Sequence, residues 1–178
     1  MTHKILTASS FGHLVGAPVE RVDVADWLAH LTSSEYRRCG PNAHVAAGVG
    51  AAEDGGRLWL QAETIGEVVL VHQYAGELVG ARRCRLASIS DVFTDLGRTT
   101  MHVVWDFSVE PFDEHSCEYV SDLAAIATDE FLAFIDDHGL DFEATAAAYS
   151  EAVEEHNALE TASFAKSIER RALASGAS

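Results

Sequence analysis

The chain has 178 residues, about the length of one domain at roughly 150 residues each. Its 12 Lys+Arg against 28 Asp+Glu give a formal net charge of -16, which repels phosphate backbones and anionic headgroups and so argues against nucleic acid and acidic membranes as partners. Hydrophobic residues make up 48%, too many for an acidic disordered tail, yet no apolar run approaches the roughly 18 residues of a membrane span.

The opening MTHKILTASSFGHLVG has no basic stretch followed by an unbroken apolar segment, so it does not read as a signal peptide, and a cytoplasmic location is the expectation. Lys4 to Val15 reads as a strand that Gly16-Ala17-Pro18 ends. Asp23 then caps a short helix carrying Val24, Trp27, Leu28 and Leu31 at helical spacing, and Thr32-Ser33-Ser34 starts a second short helix through Tyr36 to Cys39.

From Ala43 the period changes to two. Breaks at Glu53 to Gly56, Gly66, Gly76 or Gly80, Asp95 to Gly97 and Pro111 to His115 divide strands near 44–52, 57–65, 68–75, 82–92, 99–110 and 117–127. The short connections make them an antiparallel meander. In Met101 to Val109, alternation puts Val103, Trp105, Phe107 and Val109 on one face and His102, Asp106 and Ser108 on the other.

After Thr128, which can cap, Phe131, Phe134 and Ile135 form the stripe of a helix that ends at His138-Gly139. A longer helix follows from about Phe142 to Ala172, within outer bounds of 141–173, with Tyr149, Val153, Leu159, Phe164 and Ile168 on its stripe and His156 and Glu160 on or beside it. Ala174 to Ser178 reads as a frayed tail.

A strand, two short helices, a six-strand meander and a C-terminal helix is the element order of the helix-grip fold. With Gly16-Ala17-Pro18, Val24-Ala25-Asp26-Trp27-Leu28 and Glu35-Tyr36 in front, Val103-Val104-Trp105 and the strand Cys117 to Thr128 behind, and Asp129-Glu130-Phe131-Leu132 opening a helix, the chain resembles the SRPBCC superfamily. That superfamily includes START lipid-binding domains, polyketide cyclases and birch-pollen-allergen-like proteins. The resemblance covers about residues 4–138. It implies one α+β helix-grip domain over 1–178: a curved antiparallel sheet of six to seven strands, two short helices after strand 1, and long C-terminal helices on the concave face. The chain departs from the pattern in splitting its last helix, so helix 141–173 either replaces the gripping helix or is an extra partner surface.

The resemblance also implies a small hydrophobic or aromatic ligand held between sheet and C-terminal helix. Trp59, Trp105, Phe107 and Tyr119 on strands, with Tyr149 and Val153 on the late helix, are the apolar candidates for the lining, and the alternative is that they fill a solid core. Gln61, Glu63, His72 and Tyr74 are polar groups within strands that could anchor such a ligand or face solvent.

His156 and Glu160, four apart on one helix face, form the sharpest polar pair. They read as a ligand anchor, as general acid and base, as two ligands of a metal site to which His72 or Glu63 would add others, or as a solvated pair on an acidic helix. If the protein is an enzyme, a cyclase or dehydratase in which His156 works with Glu160 or Tyr74 is the expectation. An interaction protein using the acidic last helix, a homodimer included, is the third reading.

No HExxH, linked Cys/His cluster, Walker loop, GxGxxG or Gly-x-Ser-x-Gly occurs, so the sequence carries no metal, nucleotide or cofactor motif. Cys39, Cys84 and Cys117 read as buried thiols. Asp106 is expected to face outward, since an inward carboxylate would need a raised pKa or a partner such as Arg85, and Arg82-Arg83-Cys84-Arg85 is expected to pair with acids across strands.

Overall fold

A computed structural model describes residues 4–174. Its elements in chain order are β1 (Ile5–Val15), a single 3₁₀ turn (Val19–Arg21), α1 (Val24–Ala29), α2 (Ser33–Cys39), β2 (His44–Ala51), β3 (Arg57–Ile65), β4 (Val68–Val79), β5 (Arg83–Thr94), β6 (Gly97–Pro111), β7 (Cys117–Ala127), α3 (Asp129–Asp137) and α4 (Phe142–Ala174). Seven strands form one antiparallel sheet in the order β1-β7-β6-β5-β4-β3-β2. The protein is therefore α+β, with the long C-terminal helix packed on the sheet. Of the tail expected at 174–178, Ala174 closes α4 and residues 175–178 lie outside the described residues.

Local chemistry accounts for the helix boundaries. Asp23, Thr32 and Thr128 each accept a hydrogen bond from the backbone N–H three residues on, satisfying donors that a helix start leaves open. At the end of α3, Gly139 takes φ +63, Leu140 N–H donates to Ile135 O at 2.8 Å and Gly139 N–H to Asp136 O at 3.0 Å. This is a Schellman stop, and it separates α3 from α4.

β4 runs four residues beyond its expected end. Gly76 lies inside it at a register shift, where an added Cβ would come within 2.6 Å of Val79 Cγ2, so the glycine permits a bulge and does not end the strand. Leu159, expected on the apolar stripe of α4, is 67% exposed. The helix buries Val153, Asn157, Glu160, Thr161, Phe164 and Ile168 instead, so the middle of its inner face is polar and hydrophobicity alone misplaces the stripe.

α4 is the helix that grips. Asn157 Nδ2 donates to Ser9 Oγ on β1 at 2.9 Å, Trp27 Nε1 on α1 donates to Ser167 Oγ at 3.0 Å, and Arg21 donates to the terminal carbonyl of Ala172 at 3.2 Å. Phe164 stacks edge-on with Trp27 at 5.1 Å and lies 5.8 Å from Trp105, which in turn sits 4.3 Å from Phe107. The three cysteines are buried and free. No helix is long and apolar enough to cross a membrane among the described residues.

Asp106 points away from this core yet is only 7% exposed, because Arg83 and Arg85 reach over it. Arg83 Nε and Nη2 donate to its two oxygens at 2.8 and 2.7 Å, and Arg85 Nη1 adds a contact at 3.1 Å. These bonds, Arg83's foremost, hold its carboxyl below the ordinary 3.8 against the opposing effect of burial. The carboxylate thus stabilises the fold above that pH, and the contribution is lost as pH falls through the lowered value. Asp106→Asn should cost about 1 kcal/mol at neutral pH, because the arginines are partly solvated. Urea midpoints of variant and wild type should converge below pH 3.8.

Candidate functional site

The register of β2 with β3 sets up the site. His44 pairs with Glu63 across the hairpin, β4 brings His72 opposite Gln61, and α4 lays His156 and Glu160, one turn apart, over them. Glu63, His72 and Glu160 are buried, and His44 is buried with them.

Glu63 is the hub. Tyr36 O–H donates to its Oε2 at 2.9 Å and His72 Nε2–H to its Oε1 at 2.9 Å, while His156 Nε2 lies 3.3 Å from Oε2. The far nitrogen of His72 is 2.8 Å from Ser90 Oγ, which donates on to Ser88 Oγ at 3.0 Å. His44 stacks on the Tyr36 ring at 3.9 Å, donates Nδ1–H to the Tyr36 carbonyl at 2.8 Å, and turns Nε2 inward, 3.1 Å from Glu160 Oε1.

The charges of this cluster support one another. Burial opposes ionisation of Glu63, but the His156 and His72 imidazoles hold its carboxyl well below the usual range. Burial likewise disfavours the His156 cation, yet Glu63 and Glu160 outweigh it and push the imidazole up to about 9. His44 is also raised, against burial, chiefly by Glu160. The phenols of Tyr36, Tyr74 and Tyr149 are raised by burial first and then by the negative charge of Glu63.

An apolar cleft lies beside the cluster. It has a volume of about 410 Å³ and opens where the β3–β4 and β5–β6 turns meet α3 and α4; Met101, Phe131, Phe134, Leu140, Ala148 and Tyr149 are among its walls. Thr99 also lines it, and the fully buried Thr99 Oγ1 has no hydrogen-bond partner among the described residues. Tyr149 forms part of the wall, and the negative charge of Glu63 adds to burial in raising its phenol.

Of the residues singled out in the sequence, Glu63, His72, His156 and Glu160 come together in the cluster, and Tyr74 stacks on His72 at 4.9 Å. Gln61 and Trp59 are buried on β3, and Trp59 Nε1 has no partner among the described residues. Val153 is buried in the core. Phe107 and Tyr119 pack with Trp27, Trp105 packs on Phe107, and Phe164 fills the space against Trp27 and Trp105, so Trp105, Phe107 and Tyr119 line no part of the cleft. The sequence reading passed over His44, Tyr36 and Thr99.

No family model and no curated protein matches the sequence. Solved structures do match its shape. Zhui aromatase/cyclase from Streptomyces sp. R1128 aligns at a TM-score of 0.67 with 14% identity, covering 95% of this chain and 97% of that one. A protein from Thermus thermophilus aligns at 0.55 with 16% identity, over 96% of this chain and 99% of that one, and a conserved protein from Geobacillus kaustophilus at 0.54 with 11% identity, over 94% and 96%. At these identities the likeness is one of architecture. The sheet order, the two short helices after β1 and the gripping α4 together give this chain the helix-grip fold, an architecture it shares with the Zhui aromatase/cyclase.

Proposed function

We propose that the protein binds a small, mainly apolar or aromatic molecule carrying a hydrogen-bonding group, in the cleft between the sheet turns and helices α3 and α4. The observation that carries this reading is the pairing of apolar walls with a single orphaned hydroxyl, that of Thr99. Ligand pockets have this composition: apolar area supplies affinity, and a few placed polar groups choose among ligands. The cleft lies nearer the end of the sheet than the central hollow the sequence suggested, because Phe164 and its aromatic neighbours occupy the centre.

The neutral aromatic alcohol 2-naphthol is a suitable probe, with binding followed by calorimetry. Wild type should bind it one to one. Ala148→Trp, which fills an exposed wall position, should weaken binding at least about tenfold, and Thr99→Val about tenfold through the lost hydrogen bond, with melting temperatures little changed. Binding that ignores both substitutions would remove the cleft from consideration.

A second reading, a cyclase- or dehydratase-like enzyme using the same cleft, draws on one observation: Glu63 lies between two imidazoles, and its charge reaches Tyr149, which lines the cleft. Such an arrangement can move protons to and from a bound molecule. Native mass spectrometry of protein taken from its own host separates the two readings. A carrier retains one molecule unchanged, whereas a dehydrating enzyme holds species that differ by one water.

A further inference from the structure

Four donor atoms converge inside the cluster from three elements: His44 Nε2 of β2, Glu63 Oε2 of β3, and His156 Nε2 and Glu160 Oε1 of α4. The imidazole-to-carboxylate separations are 3.1 Å (His44–Glu160), 3.3 Å (His156–Glu63), 3.7 Å (His44–Glu63) and 3.9 Å (His156–Glu160). A tetrahedron with metal–ligand bonds of about 2.1 Å has edges of about 3.4 Å, the middle of that range. All four atoms lie within 4.8 Å of one another, so small side-chain movements would close the polyhedron.

The cluster as it stands leaves donors unused. His44 Nε2, on a side chain with no solvent exposure, and His156 Nε2, on one 12% exposed, have no hydrogen-bond partner among the described residues. Glu160 is 3.1 Å from His44 Nε2, within reach, but too far off line to accept a hydrogen bond. The outer groups are arranged as they are around bound metals. His44 Nδ1–H is fixed on the Tyr36 carbonyl, which directs Nε2 inward, and Tyr36 O–H and His72 Nε2–H hold Glu63 in place. Two carboxylates balance the charge of a divalent ion, which a dry site requires.

We propose that His44, Glu63, His156 and Glu160 bind one divalent cation, zinc by preference, tying α4 to β2 and β3. Nitrogen and oxygen donors in a tetrahedron suit zinc, and four protein ligands make a closed, structural centre. The inference is independent of the cleft, because Thr99 and Ala148 are not ligands; an ion here would, however, withdraw Glu63 and His156 from proton transfer.

The test uses the full chain stripped with chelator and titrated with Zn²⁺ or Co²⁺ alone. The stripped protein should take up one Zn²⁺ per chain at micromolar concentration or below with a rise in melting temperature, and Co²⁺ should give the strong visible bands of four-coordinate cobalt. Glu160→Gln keeps the side-chain shape and should weaken Zn²⁺ binding by more than about a hundredfold, while Tyr36→Phe, outside the ligand set, should weaken it by about 10–100-fold. The proposal is overturned if folded wild type takes up no ion, if Glu160→Gln binds as tightly as wild type, or if cobalt shows only the weak bands of six-coordinate ions on the acidic surface.

Discussion

Ending the chain after His138 should leave no cooperatively folded protein. The truncation removes α4, whose Val153, Phe164, Ala165 and Ile168 are buried almost completely against the sheet and α1. Burying such side chains contributes roughly 1.5–3 kcal/mol for each large one. With the smaller contacts and the Asn157, Ser167 and Arg21 hydrogen bonds, the loss is on the order of 10 kcal/mol, comparable to the whole stability of a typical domain. Trp27 and Trp105 would lose Phe164 as a packing partner, so near-ultraviolet dichroism should flatten and the thermal transition disappear. A truncated protein that still melts sharply would mean that α4 is an appendage and that the sheet and α1 to α3 form a core without it.

Glu63→Ala should be the most damaging single substitution within the site. It takes the acceptor from Tyr36 O–H and from His72 Nε2–H and leaves the His156 cation facing only Glu160, all in a buried setting. Removing one partner from a buried ionic network costs about 3–5 kcal/mol. For a chain of this length that lowers the melting temperature by roughly 6–20 °C, at about 2–4 °C per kcal/mol. Glu63→Gln should cost less, since its amide oxygen can still accept from one of the two donors. The control is Glu110→Ala, an exposed carboxylate at the end of β6, which should leave the melt unchanged. An equal effect for Glu63→Ala and Glu110→Ala would show that the network contributes nothing to folding.

Most elements were legible because their signals are local. Alternation located all seven strands, side chains three residues before a free N–H marked the helix starts, and His138-Gly139 marked the division between α3 and α4. The failures were also local in origin. Gly76 resembles a break but sits at a bulge, and Leu159 satisfies hydrophobicity while the buried positions around it are Asn157, Glu160 and Thr161. Asp106 alternates outward as expected, and its burial comes from two arginines on the neighbouring strand.

The sequence by itself determined the order of strands and helices, the fold family they resemble, and the pairing of His156 with Glu160, because each depends on spacings along a single element. Only the tertiary structure decided that His44, Glu63, His72 and Tyr36 would meet that pair. The register beyond Ala46 would set His44 opposite Thr64; the bulge between His44 and Ala46 moves it opposite Glu63. Such a shift of one residue exchanges the faces of a strand, and no periodicity records it. The aromatic filling of the central hollow was decided in the same way: Phe164 and Trp27 are 137 residues apart, and the packing of α4 against α1 brings them together.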